Sequence, residues 1–254
     1  MGIINLNNDS FYRQSRVKNQ SEFQNRVAQM FYDGADIIDI GACSSRPGSV
    51  YEGEEVEWQR LEPALRVISN LFTGKNFSID TFSSSIVKKA YDIIGPFMVN
   101  DISASEADSE MLNTVAELGL QYVAMHKRGN GVTMDNLCQY DDVVEEVKSY
   151  FRHFAQKAAD YGVNNWILDP GFGFAKTNEQ NFEMLAKLSE FSSFGKPILV
   201  GISRKRMVWE PLGLSPETCL IENLRLQGQA AISGASYLRV HDVGAFADYL
   251  ATIH

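Results

Sequence analysis

Residues 35–41 read Ala-Asp-Ile-Ile-Asp-Ile-Gly, a short and mostly apolar run that begins directly after Gly34. A run of this length and composition is typical of a strand in a parallel sheet that is buried on both faces. Seven further runs share this form, and most end in a polar residue; they span 2–5, 77–80, 98–101, 122–126, 166–169, 197–201 and 237–241. A segment of helical character follows each run, so strand and helix alternate eight times.

Eight strand-then-helix units predict an α/β protein with the (β/α)8 TIM barrel fold. The chain has 254 residues, which fits the roughly 250 residues typical of one such barrel. No Gly/Ser-rich, Pro-rich or low-complexity tract interrupts the alternation, so residues 1–254 are expected to form one domain. The loops that follow the strands build the active site of such barrels, so the residues that close the strands are candidate site residues.

The composition narrows the class of partner and the compartment. A formal net charge of −9 disfavours nucleic acid and anionic membranes as partners. No apolar stretch approaches the roughly 18 residues that span a membrane. No basic start precedes an apolar leader either, which predicts a cytoplasmic protein. The three cysteines are scattered and odd in number, so neither a disulfide framework nor a zinc site is expected.

Caps, stops and periodicity predict the helices. The first is expected between a Ser21 cap and a Gly34 stop, and Pro63 is expected to kink or split the second. The second and later predicted helices span 55–71, 83–94, 109–118, 142–161, 179–191, 216–233 and 243–253. Two long polar connections, 7–20 and 42–53, follow the first two strands and are expected to overhang the barrel mouth.

Carboxylate and amide side chains close three of the strands. Asp80 ends strand 3, Asn100 and Asp101 end strand 4, and Asp169 ends strand 6. We interpret Asp101 as a cap or turn residue, which is the commoner role of a lone Asp after a strand. The other oxygens can match the donor edge of a flat heterocycle that carries an amino group and ring N–H groups. Phe174, in a stiff Pro- and Gly-containing loop after strand 6, can supply an apolar wall.

Cations gather after the last two strands. Lys205 follows strand 7, whereas Arg239 and His241 end strand 8 on one face. This region is the usual phosphate site of such barrels, so we predict functional roles for these three residues. For Arg204, by contrast, we predict a surface ion pair.

Four further positions carry weaker signals. Ser45 and Arg46 place a hydroxyl and a cation in the second loop. Asn5 ends strand 1 with a neutral oxygen that suits Mg²⁺, an ion that keeps most of its waters and binds substrate phosphates; alternatively, Asn5 hydrogen-bonds a neighbouring strand end. His126 ends strand 5 and is open to two interpretations, a structural histidine or a catalytic one.

An ordered set of short motifs resembles the dihydropteroate synthase family along nearly the whole chain. The matching stretches are Met1 to Asn5, Asp9-Ser10-Phe11, Gly34 to Gly41, Ser45-Arg46-Pro47-Gly48, Ser78 to Thr81, Val99 to Ser103, Met125-His126, Asp169 to Phe174, Ser203-Arg204-Lys205 and Arg239 to Asp242. The resemblance implies an enzyme that condenses 6-hydroxymethyl-7,8-dihydropterin pyrophosphate with p-aminobenzoate in folate biosynthesis. The products would be 7,8-dihydropteroate and pyrophosphate, with Mg²⁺ as cofactor and a homodimer as the assembly.

The resemblance also implies roles for individual residues. Asp80, Asn100 and Asp169 would hold the edge of the pterin ring. Lys205 would contact the pterin, and Arg239 would stack on its face. The implied mechanism is dissociative: pyrophosphate leaves, a pterin methylene cation forms, and the amine attacks it. Such chemistry requires charge stabilisation of the leaving group more than it requires a strong base.

The remaining implied roles concern the pyrophosphate and the second substrate. Arg46, His241 and Asn5 would serve the pyrophosphate, Asn5 through Mg²⁺. Phe174 and Lys205 would flank the aminobenzoate. The predicted catalytic residues are Lys205, Arg239, His241 and Asp80, and the predicted substrate contacts also include Ser45 and Met125.

Several positions depart from the family pattern. Arg206 stands where the family usually has a Ser beside the aminobenzoate carboxylate, and Asn7, Asn8 and Arg13 depart from the usual first loop. Two alternatives stay open, and these departures motivate the first. One is a pterin-binding paralogue that is non-catalytic or uses another acceptor. The other is a methyltetrahydrofolate methyltransferase-like barrel, against which the pyrophosphate-type cations argue.

Overall fold

A closed ring of eight parallel strands forms the centre of the computed structural model, which describes residues 1–6, 19–43, 50–130 and 132–253. The strands are β1 Gly2–Asn5, β2 Ile37–Gly41, β3 Asn76–Asp80, β4 Met98–Asp101, β5 Gln121–Met125, β6 Trp166–Asp169, β7 Leu199–Val200 and β8 Tyr237–Leu238. β1 to β6 form one ladder and β7 pairs with β8. Single bridges, Leu168 to Ile198 and Gly2 to Val240, join these two sheets and close the barrel. The predicted TIM barrel is confirmed.

Helices cover the outside of the barrel. Their bounds are α1 Gln20–Tyr32, α2 Glu54–Leu71, α3 Ser84–Ile94, α4 Met111–Leu118, α5 Val143–Asp160, α6 Asn178–Ala186, α7 Arg206–Trp209, α8 Leu220–Ile232 and α9 Val243–Ile253. None of the described helices is both long enough and apolar enough to cross a membrane.

Several helix boundaries differ from the prediction for local reasons. The cap of α1 is Asn19, not Ser21, because the Asn19 side chain accepts the Glu22 N–H at 2.9 Å. The expected split at Pro63 is wrong: α2 continues through it, with Pro63 on the exposed face where water can bond the carbonyl that loses its partner. The predicted helix 109–118 begins at Met111, since Asp108 instead accepts the N–H groups of Glu110 and Ser84.

Two predicted helices in the C-terminal half also have different bounds in the structure. Helix 179–191 is in fact α6 followed by a 3₁₀ helix, Leu188–Phe194. The predicted helix 216–233 begins only at Leu220. The short α7 and the 3₁₀ turn Glu210–Leu212 precede it and were not predicted, because segments of four and three residues carry no periodic signal.

An apolar floor closes the barrel interior below the site. It consists of Met98, Val123, Ile167 and Leu199, packed with Met1, Ile37 and Tyr237. Successive side chains of a strand point to opposite faces, so a residue two positions further along shares the interior. Two residues beyond Ile37, Met98, Val123, Ile167 and Tyr237 lie Asp39, Asn100, Met125, Asp169 and Arg239. The strands thus place a largely polar layer directly above the apolar floor.

Candidate active site

The strand register places four residues of β1 to β4 side by side at the barrel mouth, and three of them are predicted site residues. Asn5 pairs with Gly41, Gly41 with Asp80, and Asp80 with Asn100. A Cβ at Gly41 would lie 3.7 Å from Asn5 Oδ1 and 3.5 Å from Asp80 Oδ2. Because Gly41 has no side chain, there is room between Asn5 Oδ1 and Asp80 Oδ2 at the rim of the barrel.

Arg239 is the centre of a charged network in the polar layer. Its Nε donates to Asp39 Oδ2 at 2.7 Å, and its Nη2 donates to Asp80 Oδ2 at 3.0 Å. Asn100 Nδ2 donates to both oxygens of Asp39 at 3.3 Å. Asp39 is fully buried, whereas the side chains of Arg239 and Asp80 are 20% and 17% exposed. The Arg239 guanidinium therefore orders two carboxylates. Its remaining exposed surface faces the barrel mouth.

The network shifts the ionisation of its members. Burial raises the pKa of Asp80 to about 7, with Arg239 opposing and Asp39 adding to the shift. Burial alone would lower the pKa of Arg239, but Asp39 and Asp80 outweigh it and the pKa is raised. Arg239 is therefore a permanent cation, while Asp80 can change its protonation near neutral pH.

Asp39 is a site residue that the strand-end pattern does not indicate, because it lies inside β2. One signal was available: Asp39 is a carboxylate in a buried apolar run, two residues before Gly41 and therefore on the interior face. An ionised residue at such a position requires a partner, and Arg239 is that partner.

Asp169 and Lys205 lie near each other at the loop after β6, where their charges interact. Asp169 Oδ1 accepts the Gly171 N–H at 2.8 Å, and burial raises the pKa of this carboxyl against the effect of Lys205. Lys205 Nζ donates to Phe172 O at 2.5 Å and lies 4.6 Å from the centre of the Phe174 ring. Burial lowers the pKa of Lys205 to about 8, opposed by Asp169, so the amine is mostly protonated at neutral pH.

The wall beside Lys205 is apolar. Met125 pairs with Asp169 in the sheet register and packs in a cluster with Met134, Phe174 and Ala175. This cluster lies next to a groove of about 440 Å³ that is lined by Gly173 among others. Met125 and Phe174, predicted from the sequence as substrate contacts, therefore share one apolar surface.

His241 is held by Ser203. The Ser203 hydroxyl oxygen accepts the His241 backbone N–H at 3.1 Å and lies 2.9 Å from Nδ1. The Ser203 hydroxyl can donate its hydrogen to Nδ1 while it accepts the backbone N–H; we assign this arrangement, which places the ring hydrogen on Nε2. Burial and nearby cations, Arg239 first among them, lower the pKa of His241 to about 3. The ring is therefore a neutral hydrogen-bond donor at neutral pH.

Two strand-end residues have structural roles. Asp101 accepts the N–H groups of Ser103 and Ser105 at 2.7 and 2.8 Å and the Tyr122 hydroxyl at 2.6 Å, so its interpretation as a turn residue is confirmed. His126 is buried against Lys176, with Nδ1 3.0 Å from Nζ. This contact favours the structural interpretation of His126.

The prediction of a surface ion pair for Arg204 is wrong in its location. Arg204 pairs with Asp242 through two hydrogen bonds of 2.8 Å, but the Arg204 side chain is only 3% exposed. The reason is that Arg204 turns inward at a positive φ of 55°. Its guanidinium also donates to Pro216 O, and Trp209 Nε1 donates to the Arg204 carbonyl.

Arg206 begins α7 beside the groove defined above. Its guanidinium lies 3.0 Å from Glu210 and 3.7 Å from Asp135, and its side chain is 51% exposed. Gly173 and Lys176 also line this groove. The remaining predicted positions, Ser45, Arg46, Asn7, Asn8 and Arg13, lie outside the described residues.

Comparison with known proteins identifies the family. The model of the pterin binding enzyme family matches residues 1–241. The dihydropteroate synthase of Escherichia coli K12 is 36% identical over 245 residues, which cover 96% of this chain and 86% of the relative.

Solved structures agree in fold. The crystal structure of Yersinia pestis dihydropteroate synthase with a sulfonamide drug complex superposes with a TM-score of 0.93 at 32% identity, covering 99% of this chain and 91% of the other. The Xanthomonas albilineans dihydropteroate synthase with 4-aminobenzoic acid gives a TM-score of 0.89 at 33% identity, with coverage of 99% and 90%. This chain belongs to the pterin binding enzyme family and, within it, to the dihydropteroate synthases.

Proposed function

We infer that this chain is a dihydropteroate synthase, a transferase that joins 6-hydroxymethyl-7,8-dihydropterin pyrophosphate to p-aminobenzoate and releases pyrophosphate. One observation carries the inference: Arg239 ties Asp39 and Asp80 together in a polar layer above a closed apolar floor, with Asn100 in the same layer. A flat heterocycle fits such a layer. The agreement with E. coli dihydropteroate synthase favours this function over the methyltransferase alternative.

We propose that the pterin binds with its amino group and ring N–H groups toward Asp80, Asn100 and Asp169. These side chains come from three strands and offer oxygen acceptors at one depth of the barrel. The face of the ring would lie on the guanidinium of Arg239, which is held flat by its two carboxylates. Lys205 would close the other side of the ring.

The leaving group requires charge stabilisation, and the mouth supplies it. Arg239 is a permanent cation, Lys205 is mostly protonated, and neutral His241 can donate from Nε2. Donors that are already fixed by Ser203 and the acidic residues do not have to reorganise as negative charge develops on the departing pyrophosphate. The C–O bond to pyrophosphate then breaks, the amine nitrogen of p-aminobenzoate forms a C–N bond to the pterin methylene carbon, and the nitrogen releases one proton to solvent.

Magnesium is proposed as the cofactor on the chemistry of the donor set. Asn5 Oδ1 lies at the rim beside Gly41, where a Cβ would be 3.7 Å from it. A neutral oxygen of this kind, completed by waters and phosphate oxygens, suits Mg²⁺. When bound, the ion would offset the charge of the pyrophosphate.

The acceptor is proposed to bind beside Lys205 and Phe174, on the apolar surface that Phe174 shares with Met125. The aminobenzoate ring would contact Phe174, and Lys205, whose Nζ is 4.6 Å from the centre of the Phe174 ring, would place a cation at the edge of the substrate. The homodimer, the cytoplasmic location and the single domain stay predictions from the sequence.

A direct assay tests the function. The purified chain, incubated with Mg²⁺, the pterin pyrophosphate and p-aminobenzoate, should form 7,8-dihydropteroate and pyrophosphate, detected by mass spectrometry. An excess of chelator should slow the reaction, and added Mg²⁺ should restore it. Pterin binding without product would instead identify the non-catalytic paralogue.

Asp169→Asn should weaken pterin binding by about tenfold or more, because a buried charge-assisted hydrogen bond is worth roughly 1.5–3 kcal/mol. The new amide keeps the shape of the side chain, and its oxygen can still accept the Gly171 N–H, so the fold should not change. Calorimetric titration with an unphosphorylated pterin measures the effect. Unaltered affinity would contradict the role of Asp169 in pterin binding.

Arg206→Ser should change KM for p-aminobenzoate, and inhibition by sulfonamides, by several-fold, since Arg206 lines the groove beside the acceptor side of the site. Its ion pairs are half-exposed and should contribute only ~0–1 kcal/mol, so the melting temperature should hardly move. Pterin affinity should stay constant. Steady-state kinetics decide the matter: unchanged KM values for both substrates would show that this departure from the family pattern is neutral.

A further inference from the structure

Lys176 is a buried lysine that the proposed mechanism does not use. It lies between β6 and α6 and is 8% exposed. Its Nζ is 3.0 Å from His126 Nδ1, 3.0 Å from Gly171 O and 3.1 Å from Phe174 O. Burial lowers the pKa of Lys176 to about 7, with Asp169 opposing the shift. The protonated amine has three N–H groups, and these three acceptors match all of them.

The His126 side of this contact is rigid. Burial, followed by the charge of Lys176, lowers the pKa of His126 to about 2, so the ring is neutral and Nδ1 accepts the Lys176 hydrogen. The ring packs edge-on against Tyr150 at 4.9 Å. The loop after β6 also lies close to the His126 backbone, since a Cβ at Gly171 would be 1.8 Å from His126 O. The end of β5 is therefore the surface on which this loop rests.

Lys205 holds the same loop through a different carbonyl. It donates to Phe172 O, whereas Lys176 takes the carbonyls of Gly171 and Phe174. A Cβ at Gly173 would come within 2.9 Å of Lys205 Cδ, so the loop and the Lys205 side chain are in close contact. The two lysines thus hold residues 171–174 through three backbone carbonyls, and we call these hydrogen bonds of Lys176 and Lys205 the clasp.

We propose that Lys176, seated on His126, is a positioning residue that fixes Phe174 for the amine acceptor. The inference rests on the proposed function, since it assigns Phe174 to the aminobenzoate. Two acceptors of the pterin, Asp80 and Asn100, lie on β3 and β4, away from this loop. The third, Asp169, lies in the β5–β6 ladder and also accepts the Gly171 N–H of the loop. Loss of the Lys176 contacts should therefore affect the aminobenzoate more strongly than the pterin.

The test is Lys176→Met, which keeps an unbranched side chain one atom shorter and removes the three donors. We expect KM for p-aminobenzoate to rise about tenfold, equivalent to ~1.4 kcal/mol, while the pterin dissociation constant changes by less than about twofold. Lys157→Met is the matched control. Lys157 is a half-buried lysine that donates to Ser105 Oγ at 2.8 Å in the loop after β4. It should leave both substrates unaffected.

A second pair of variants tests the partner and does not depend on the folding of Lys176→Met. His126→Asn retains a side-chain acceptor near the position of Nδ1, whereas His126→Leu removes it. We expect KM for p-aminobenzoate to stay near the wild-type value in His126→Asn and to rise in His126→Leu. Equal KM values in these two variants would overturn the positioning role.

The failures of the two proposals can be told apart. A wild-type chain that forms no dihydropteroate contradicts the proposed function. An active wild type, together with a Lys176→Met variant that is less heat-stable but has unchanged KM for p-aminobenzoate, contradicts the positioning role alone. A parallel loss of pterin affinity would also overturn it, because the clasp would then act on the whole site.

Discussion

Arg239→Met should lower the free energy of unfolding by about 3–5 kcal/mol, the usual cost of removing one partner of a buried ion pair. The reason is that two carboxylates lose their cation: Asp39, which is fully buried, and Asp80, which is 17% exposed. Urea denaturation measures the change. Arg225→Met is the control, since Arg225 is 66% exposed and pairs with Glu222 on the surface of α8.

The double variant Arg239→Met with Asp39→Asn distinguishes two effects of losing Arg239. One is the unpaired charge of Asp39, and the other is the loss of the hydrogen bonds that Arg239 makes. Removing the charge of Asp39 should restore part of the stability, as a coupled pair requires. The pH dependence gives a further check. Arg239 lowers the pKa of Asp80, so its removal should raise that pKa beyond about 7. A carboxyl with a raised folded-state pKa makes the protein less stable as pH rises from the unfolded pKa to the folded one.

The loss in Arg239→Met should therefore be larger at pH 8 than at pH 5. An unfolding midpoint equal to that of Arg225→Met at both pH values would contradict the assignment of Arg239 as the cation that neutralises these two acids.

His241→Ala should reduce kcat by about 100-fold, the scale seen when one fixed donor to a developing anion is removed. Ser203 positions the ring and the ring hydrogen is on Nε2, so we expect the effect on the departing pyrophosphate and not on the pterin ring. Binding of an unphosphorylated pterin should change much less than turnover. Inhibition by the product pyrophosphate should weaken in parallel.

Ser203→Ala offers an intermediate case for the same residue. It leaves the imidazole in place and removes the group that fixes its orientation, so kcat should fall by less than in His241→Ala. Equal losses of pterin binding and turnover in His241→Ala would place the residue in the pterin pocket or give it a structural role.

The barrel and the strand ends could be predicted because each strand carries its own signal, an apolar run that stops at a polar residue. Asp39 could not be found in that way, since its partner Arg239 lies 200 residues away and no local pattern connects them. The buried location of Arg204 depends on Asp242 and on the turn at Pro216, which come together only in the folded barrel. The pairing of Arg206 with Asp135 likewise joins the start of α7 to the 3₁₀ helix Met134–Asn136, which is distant in sequence. The roles of the site residues in catalysis stay predictions until the variants are measured.

Closure of the barrel joins β1 to β8, and this has a consequence for how the enzyme is made. The Met1 amine donates to Leu238 O across 237 positions, and Val240 N donates to Met1 O. During synthesis β1 emerges long before β8, although the two lie side by side in the folded barrel. Contacts of such long sequence separation form slowly because a long loop must close first. Until then Asp39 and Asp80 lack their contact with Arg239, so a nascent or truncated chain without β8 should be bound by chaperones and degraded by proteases.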